Sequence, residues 1–295
     1  MISLLKNYFQ VVKFNLFNNK LSLFSNFLHE INYFLAKIIF KKNLNFSKAI
    51  NINSVNLKKE GFIILHNNNE NEKNNFRELS LNISQFFDNE EHLIYQDNKI
   101  SYLNPKFLNQ SSLKKIFSKD VINCIENYYK SSFKIYSYHI YRTDFLRKDD
   151  EDSYLWHTDN STRHSLKLMF YLDLVTKNEG AMEIIDTSNS KNIFKKGFHS
   201  RTQYDQFKDL LDLNINVCEG NLGSVVIFKN SLNLHRAKKP LKKKRDVINI
   251  NIYPSMIRFG NNLEKNFDKE YFNSGFSLNP FTNKPQNKLK IEKVK

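Results

Sequence analysis

Val247-Ile248-Asn249-Ile250-Asn251-Ile252-Tyr253 is the stretch of this sequence that decides the fold. Isoleucines occupy every second position, and asparagines stand between them. Side chains alternate between the two faces of a strand but repeat every 3.6 residues in a helix, so a period of two predicts a β-strand with one apolar and one polar face. The polar face is a candidate lining for a pocket.

Shorter stretches with strand character precede this one. Short strands separated by turn residues are typical of β-sandwiches and barrels, and jelly rolls and cupins are among the architectures that protect sheet edges in this way. We therefore predict a mainly β fold with flanking helices, whose jelly-roll, cupin-like core extends from about residue 135 to 255. The predicted strands lie at residues 61–65, 135–142, 155–159, 165–174, 181–186, 215–217, 224–228 and 246–253.

Helical spacing of apolar residues marks two segments before the β-rich part, at residues 76–87 and 118–131. The polar stretch 67–75 is predicted to be a loop. The chain as a whole is predicted to divide into three parts. These are an N-terminal amphipathic helical segment at 1–50, a main domain at 51–260 and a polar, basic tail at 261–295.

The N-terminal segment carries an apolar stripe at helical spacing. We favour a placement over the outside of a sheet; the alternative is a helix lying on an anionic membrane, for which Lys37, Lys41 and Lys42 provide charge. The apolar runs are too short to span a bilayer and no signal-peptide pattern is present, so we expect a cytoplasmic protein. The stripe consists of Phe24, Phe27, Leu28, Ile31, Phe34, Leu35 and Ile38.

Composition excludes several classes of protein. With 40% hydrophobic and 14% aromatic residues, the chain is too apolar to be disordered. Its two cysteines, Cys124 and Cys218, have no zinc-binding spacing and indicate a reducing compartment. The net charge of +15 would attract anionic partners. Because lysine and asparagine are frequent everywhere and no nucleic-acid-binding motif accompanies them, we expect no specific nucleic acid partner.

His157 and Asp159 form a His-x-Asp pair. In a strand, residues two apart point to one face and lie roughly 6.6 Å apart, so an imidazole and a carboxylate converge. If His235 joins them from a second strand, the three donors occupy one face of an octahedral metal and leave the opposite positions open, as in non-haem Fe(II) oxygenases. A chance tripeptide in a surface strand is the alternative, and the surrounding residues have to decide.

Arg245 stands ten residues after His235, at the start of the 247–253 strand. By alternation it shares the polar face with Asn249 and Asn251. A guanidinium held there can grip a planar carboxylate through two parallel hydrogen bonds, which a lysine cannot match. The alternative is that Arg245 only ends the basic run 242–244.

These pieces together resemble the Fe(II)- and 2-oxoglutarate-dependent dioxygenases, in particular the phytanoyl-CoA dioxygenase-like branch, over roughly residues 135–255. The resemblance implies a double-stranded β-helix, with His157, Asp159 and His235 as Fe(II) ligands and Arg245 pairing with the far carboxylate of 2-oxoglutarate. It also implies hydroxylation with release of succinate, for which ascorbate is a candidate stimulant. The matching pieces are Trp156-His157-Thr158-Asp159-Asn160, Leu166-Lys167-Leu168-Met169-Phe170-Tyr171-Leu172-Asp173, Gly180-Ala181-Met182-Glu183, and His235-Arg236-Ala237 with Pro240 and Arg245.

Ala237 departs from the pattern of this family, whose members often carry a Ser or Thr there to assist the oxoglutarate carboxylate. Alanine cannot donate a hydrogen bond, so Tyr141 and Lys167 become candidates for that role. The alternatives are a core tyrosine and a solvated or ion-paired lysine. Within this resemblance, the presence of the carboxylate at Asp159 favours hydroxylation over halogenation. The stretch 187–212 is predicted to be a loop-rich substrate lid or a plain surface connection.

The substrate would be a small molecule or a carrier-bound group, and the net charge suits an anionic one. Two other functions stay open at this point. One is a cupin-type barrel that binds a metal or ligand without redox turnover, which has no evident need for the carboxylate clamp at Arg245. The other is a membrane-surface or scaffold protein that acts through the N-terminal stripe.

Overall fold

The fold is known from a computed structural model that describes residues 23–43, 51–67, 69–96, 100–104, 107–108, 110–145, 152–159, 161–198, 201 and 204–260. The predicted basic tail at 261–295 lies outside these ranges, as do residues 1–22 and 44–50 of the predicted N-terminal segment. The division into three parts therefore stays a prediction. None of the described helices is long and apolar enough to cross a membrane.

The main sheet has seven antiparallel strands in the order β1-β8-β5-β10-β4-β3-β2. Its central strand is the predicted one, and it pairs with β5 on one side and β4 on the other. The strands of this sheet are β1 (Phe62–Leu65), β2 (Leu93–Gln96), β3 (Ile100–Leu103), β4 (Ser132–Thr143), β5 (Leu166–Tyr171), β8 (Val225–Phe228) and β10 (Arg245–Ser255).

Alternate side chains of β10 point to opposite faces of this sheet and belong to different apolar clusters. Ile248, Ile250 and Ile252 are fully buried against the helices on the outer side, where each contributes about 1.5–3 kcal/mol of stability. Val247 faces the opposite way and packs in the interior. The strand predicted from the sequence is confirmed, including which residues enter the core.

A smaller sheet covers the interior side. It contains β6 (Glu183–Ile184), β7 (Asn216–Val217) and β9 (His235–Arg236) in the order β7-β6-β9. The two sheets enclose an apolar cluster to which the main sheet contributes Met169, Tyr171 and Phe228 and the smaller sheet Ile184. This arrangement is the predicted double-stranded β-helix, or jelly roll.

Helices cover the outer face of the main sheet. For example, the ring centroids of Phe76 and of Phe170 on β5 lie 6.2 Å apart in a stacked arrangement. The helices are α1 (Leu23–Asn43), α2 (Ile52–Glu60), α3 (Glu70–Phe87), α4 (Gln110–Ile116), α5 (Lys119–Tyr129), α6 (Thr187–Lys195) and α7 (Tyr204–Asp212), with 3₁₀ turns at Glu90–His92 and Asp152–Tyr154.

Several predicted boundaries were wrong. The predicted loop 67–75 already contains the first turn of α3, because Asn69 caps the helix by accepting from Asn71 N at 2.9 Å and Glu72 N at 3.3 Å. The 187–212 stretch is not loop-rich, since α6 and α7 occupy most of it and Asp186 caps α6. The hairpin β2-β3 and helix α4 were not predicted. The predicted strand 155–159 is reduced to one isolated bridge at His157.

Helix α1 forms where the apolar stripe predicts it, but four residues of the stripe face away from the sheet, while Leu28 and Ile31 are half-buried. The helix contacts β10 through a side made of Asn26, His29, Asn32, Ala36 and Phe40, all of them buried. Phe27, Phe34, Leu35 and Ile38 of the stripe are exposed. The favoured placement of the helix over the outside of the sheet is therefore confirmed. The side of the helix that meets the sheet is not the apolar stripe, because Asn32 and His29 contact Pro254 and Tyr253 of β10.

Candidate metal centre

His157 and His235 are brought together by backbone pairing. His157 N donates to His235 O at 3.1 Å, and His235 N donates to His157 O at 2.9 Å. The imidazole rings lie side by side, with centroids 4.4 Å apart. The smaller sheet thus continues through β9 to His157, and this pairing joins two histidines that are distant in sequence.

Asp159 completes the predicted set. Its Oδ1 lies 3.6 Å from Nε2 of His157 and 3.6 Å from Nε2 of His235. One ligand atom from each of the three residues lies within 4.8 Å of the others, and this is the one such group of three among the described residues. Because metal–ligand bonds of about 2.0–2.2 Å place neighbouring donors roughly 3 Å apart, only a small approach is needed for all three to bind one ion.

The two imidazoles are oriented by backbone carbonyls. Nδ1 of His157 contacts Leu155 O at 2.7 Å, and Nδ1 of His235 contacts Asn233 O at 3.0 Å. A carbonyl only accepts, so each Nδ1 carries the proton and each Nε2 presents a lone pair to the centre. Burial, followed by the charge of His235, lowers the pKa of His157 to about 3. The neutral imidazole that a metal requires is therefore the stable form of His157.

Asp159 is held through its other oxygen. Asn230 Nδ2 donates to Oδ2 at 2.9 Å, and Lys167 Nζ forms an ion pair with the same atom. Burial alone would raise the pKa of Asp159, but Lys167 and the two histidines hold it well below the usual value. The carboxylate is thus ionised, with Oδ2 engaged and Oδ1 turned to the histidines.

The donor set fits a first-row divalent ion. Two imidazole nitrogens and one carboxylate oxygen are the 2-His-1-carboxylate set that leaves three octahedral positions open. His235 Nε2 is buried and has no hydrogen-bond partner among the described residues. A buried polar atom without a partner is costly, and a metal ion at the centre would satisfy this one.

The loop that carries His235 is fixed by Asn233. Its Nδ2 donates to Glu60 O at 3.0 Å and to Ile185 O at 2.8 Å, while Thr187 Oγ1 donates to its Oδ1 at 3.1 Å. Gly61 has φ +83, and a Cβ there would lie 2.2 Å from Asn233 Oδ1. Position 61 therefore requires glycine, because its φ is positive and because there is no room for a Cβ beside Asn233. The turn between α2 and β1 therefore helps to position a candidate metal ligand far away in sequence.

Arg245 is buried inside the barrel at the start of β10. Its Nη1 donates to the carbonyl of Gly180 and to Lys238 O at 3.2 Å, and Nη2 donates to Thr143 Oγ1 at 3.4 Å. Its Nε has no hydrogen-bond partner, and no carboxylate pairs with it among the residues described. A buried guanidinium without an anion is expensive, so the position fits an anionic ligand.

Tyr141 and Lys167 lie in different parts of this interior. Burial raises the pKa of Tyr141 to about 12, with Arg245 opposing and Tyr154 and Asp159 adding to the effect. Tyr141 pairs in register with Val247, two positions along β10 from Arg245 and on the same face. Lys167 pairs in register with Asn251, six positions along β10 from Arg245, which corresponds to about 20 Å along a strand. Of the two candidates, Tyr141 is the one placed beside Arg245.

A polar floor adjoins Asp159 on the interior face of the main sheet. Asn249 lies opposite His139, and Asn251 lies opposite Ser137 and Lys167. Asn251 Nδ2 donates to Ser137 Oγ at 3.0 Å. The Oδ1 atoms of Asn249 and Asn251 are buried without hydrogen-bond partners in the described part of the chain. We call His139, Lys167, Asn249, Asn251 and Ser137 the polar floor.

His139 and Asn230 were missed by the sequence reasoning. Burial and the neighbouring Lys167 lower the pKa of His139 to about 4, so it faces the site as a neutral imidazole. Alternation along β4 puts it on the same face as Tyr141, and that signal was available in the sequence. No local signal pointed to Asn230, whose contact with Asp159 depends on the path of the whole chain.

Comparison with known proteins identifies the fold. No protein-family model and no curated protein matches the sequence. Among solved structures, EctD from S. alaskensis with bound Fe matches with a TM-score of 0.52 and 10% identity, over 72% of this chain and 79% of that one. HygX from Streptomyces hygroscopicus with nickel and 2-oxoglutarate matches with a TM-score of 0.50 and 12% identity, over 71% of this chain and 89% of that one.

The epimerase SnoN in complex with Fe3+, alpha ketoglutarate and nogalamycin RO matches with a TM-score of 0.51 and 9% identity, over 68% of this chain and 82% of that one. At these identities the likeness concerns the fold. The chain has the double-stranded β-helix fold of these metal- and 2-oxoglutarate-bound proteins, in agreement with the family resemblance inferred from its motifs.

Proposed function

We propose that this protein is a non-haem iron oxygenase that couples oxidative decarboxylation of 2-oxoglutarate to hydroxylation of a small-molecule or carrier-bound substrate. One observation carries the proposal. A 2-His-1-carboxylate set with an unpartnered Nε2 shares one barrel interior with a buried arginine that has no carboxylate partner among the described residues. A metal ion and a dicarboxylate together satisfy both.

The proposed metal ligands are His157, Asp159 and His235. Two of the outer contacts have defined tasks: Asn230 and Lys167 hold Asp159 Oδ2, so that Oδ1 is the oxygen offered to the metal. Such outer contacts orient ligands and raise metal affinity. Fe(II) bound there supplies oxygen activation at the expense of 2-oxoglutarate, which the protein cannot perform with side chains alone.

Arg245 is the proposed clamp for the far carboxylate of 2-oxoglutarate, with Tyr141 beside it as a hydrogen-bond donor in place of the missing hydroxyl at Ala237. Burial keeps Tyr141 protonated at neutral pH, since its pKa is raised to about 12. The apolar cluster between the two sheets keeps water from the site. The polar floor is the proposed surface against which the substrate is oriented.

Hydroxylation is the reaction we favour, because the carboxylate ligand Asp159 is present. Other outcomes are known on this fold, since SnoN is an epimerase. A non-redox cupin is the remaining alternative. Arg245 argues against it, because a metal-binding module has no need for a buried cation beside its metal.

The experiment uses full-length protein reconstituted with Fe(II) under anaerobic conditions. Oxygen, 2-oxoglutarate and ascorbate are then supplied with a panel of acyl, sugar and amino-acid substrates, and both succinate and product mass are measured. Asp159→Ala should abolish succinate formation. The matched control is Asp173→Ala, which removes an exposed carboxylate paired with Lys243 and should leave succinate formation unchanged.

Each outcome has a defined meaning. Succinate with a product heavier by one oxygen atom supports hydroxylation. Succinate with a product of unchanged mass but altered stereochemistry, the two remaining electrons being supplied by ascorbate, replaces hydroxylation by an epimerase-type reaction. Iron-loaded protein that binds 2-oxoglutarate but releases no succinate with any substrate would overturn the oxygenase proposal in favour of the non-redox cupin.

A further inference from the structure

Helix α1 exposes its apolar side to solvent. Phe27, Phe34 and Ile38 lie within about 40° of one another around the helix axis, and their exposed fractions are 49%, 64% and 39%. Leu35, beside them, is 36% exposed. We call these four residues the outer stripe. Single exposed apolar residues are ordinary, but a stripe of large ones along one helix face marks an interaction surface.

The orientation of α1 is fixed by polar contacts on its other side. Asn32 Nδ2 donates to Pro254 O at 2.9 Å, and the ring of His29 lies 4.5 Å from that of Tyr253. Glu30 pairs with Arg163 at 2.5 Å and with His164 at 2.9 Å. Rotating the stripe inward would break all of these contacts. The outward direction of the stripe is therefore built into the fold.

Lysines border the outer stripe. Lys37 follows Phe34 by one turn and is exposed. Exposed Lys58 of α2 is close enough to Lys130 and Lys37 that, after burial, these two charges lower its pKa. Helix α2 also exposes Ile52 and Val55. The surface thus combines apolar side chains with a cluster of positive charge, the combination found on helices that lie in the headgroup region of membranes.

Charge decides which partner suits this surface. Residues 1–22 of the same chain carry Lys6, Lys13 and Lys20 and no acidic residue, and a second copy of the chain carries the same net charge of +15. Both would be repelled by the lysine cluster. The only acidic residue of α1, Glu30, is engaged with Arg163 and His164. The occupant has to be both apolar and anionic.

We propose that α1 docks the protein on an anionic lipid surface, with the outer stripe entering the headgroup region and Lys37, Lys58 and Lys130 contacting lipid phosphates or carboxylates. This docking does not depend on the chemistry of the metal centre.

The test is flotation of the full-length protein with vesicles. Phosphatidylcholine vesicles containing phosphatidylserine should carry the wild-type protein, and pure phosphatidylcholine vesicles should carry much less. Phe27→Gln/Phe34→Gln/Ile38→Gln should reduce binding at least about ten-fold. Lys37→Gln/Lys58→Gln should reduce it about five-fold for each charge removed, and added salt should do the same.

Matched variants control for general loss of apolar surface and charge. Leu81→Gln/Leu213→Gln/Leu241→Gln removes three apolar residues elsewhere that together are more exposed than the three stripe residues, and Lys195→Gln/Lys208→Gln removes two exposed lysines. Both should float like the wild type, and all four variants should retain wild-type circular dichroism and metal affinity.

Absence of wild-type flotation, equal flotation on neutral vesicles, or undiminished flotation of the stripe variant would overturn the proposal. Binding of an acidic amphipathic peptide by wild type but not by the stripe variant, without flotation, would also overturn it and assign the surface to a protein partner.

Discussion

The metal centre and the inner side of α1 both bury histidines beside a carboxylate, yet they differ in how those groups are satisfied. At α1, Glu30 lies 2.9 Å from His164 Nε2 and 2.5 Å from Arg163 Nη2, so its carboxylate oxygens are engaged in direct bonds. At the centre, the two Nε2 atoms stand 3.6 Å from Asp159 Oδ1, beyond hydrogen-bond reach, although all three groups are fixed from behind.

This difference separates a structural contact from a binding site. Buried polar atoms in folded proteins are nearly always paired. Where they are paired with each other, as at Glu30 and His164, they hold one element against another. Where the supporting contacts are complete but the converging atoms are not bonded, a ligand is expected to supply the missing partner. Arg142 and Arg245 show the same difference. Arg142 pairs with Asp246 and Asp88, whereas Arg245 has no carboxylate partner among the described residues and its Nε is unbonded.

Removing a converging imidazole should have the largest effect. In His157→Ala or His235→Ala, the affinity for Fe(II) should fall by more than the roughly 10–100-fold that loss of an outer contact costs. Anaerobic titration calorimetry measures this. His164→Ala, which removes a histidine of the α1 contact, should leave metal affinity unchanged. A folded His157→Ala protein with wild-type affinity would disprove the ligand assignment.

Replacing Arg245, the arginine without a carboxylate partner among the described residues, should have the second-largest effect. Arg245→Ala should weaken 2-oxoglutarate binding by about 2–5 kcal/mol, since one partner of a buried charge pair is lost, and Arg245→Lys should restore only part of it. The binding constant in the presence of the metal is the measurement. Arg142→Lys, at the arginine already satisfied by acids, should lower stability but not 2-oxoglutarate affinity. Unchanged affinity in Arg245→Ala would leave the carboxylate without its proposed clamp.

A smaller effect is expected from the support behind Asp159. Asn230→Ala removes the hydrogen bond to Oδ2 and should reduce metal affinity about 10–100-fold, while the ligand set itself is retained. Asn127→Ala removes an exchange of hydrogen bonds at the end of α5, where Asn127 Nδ2 donates to Asn123 O at 3.0 Å and its Oδ1 accepts from Lys130 Nζ at 3.3 Å, and should change nothing in the same titration. If both variants bind metal like the wild type, Asn230 does not orient the ligand.

Much of the core and site follows from local sequence patterns. Alternation in β10 predicted which isoleucines enter the core and that Arg245, Asn249 and Asn251 share the other face. The His-x-Asp pair and the distant histidine predicted a cluster that the fold does assemble. The predictions for β10 worked because strand geometry fixes side-chain direction over a few residues. His157 and Asp159 converge although only an isolated bridge at His157 forms there instead of the predicted strand.

What local patterns do not contain is the path of the chain. Asn230 reaches Asp159 from 71 positions away, and Lys167 turned out to face Asp159 rather than Arg245 because of the strand register. In α1, periodicity located the apolar stripe but not the side of the helix that meets the protein. His29, Glu30 and Asn32 decided that orientation through partners that only the folded core provides.

The contact at α1 gives the smallest and most local prediction. Glu30→Gln keeps the shape but removes the charge from the pairs with Arg163 and His164, and should lower the free energy of unfolding by about 1–3 kcal/mol at neutral pH. Metal affinity should not change, because these groups do not touch the centre. Urea unfolding and the metal titration measure the two quantities.

The pH dependence of this variant sharpens the contrast with the metal centre. Burial alone would raise the pKa of Glu30, but His164 and then Arg163 hold it below the ordinary 4.5. A carboxylate with a lowered pKa stabilises the fold above its unfolded pKa and loses that contribution as the pH falls through its folded pKa. The stability difference between wild type and Glu30→Gln should therefore be full at neutral pH and shrink below about pH 4. Glu70→Gln, at an exposed helical pair with Lys73, should show no measurable difference at either pH. If wild type and Glu30→Gln unfold alike at neutral pH, this pair does not hold α1 in place, and the outward direction of its stripe would have to rest on Asn32 and His29 alone.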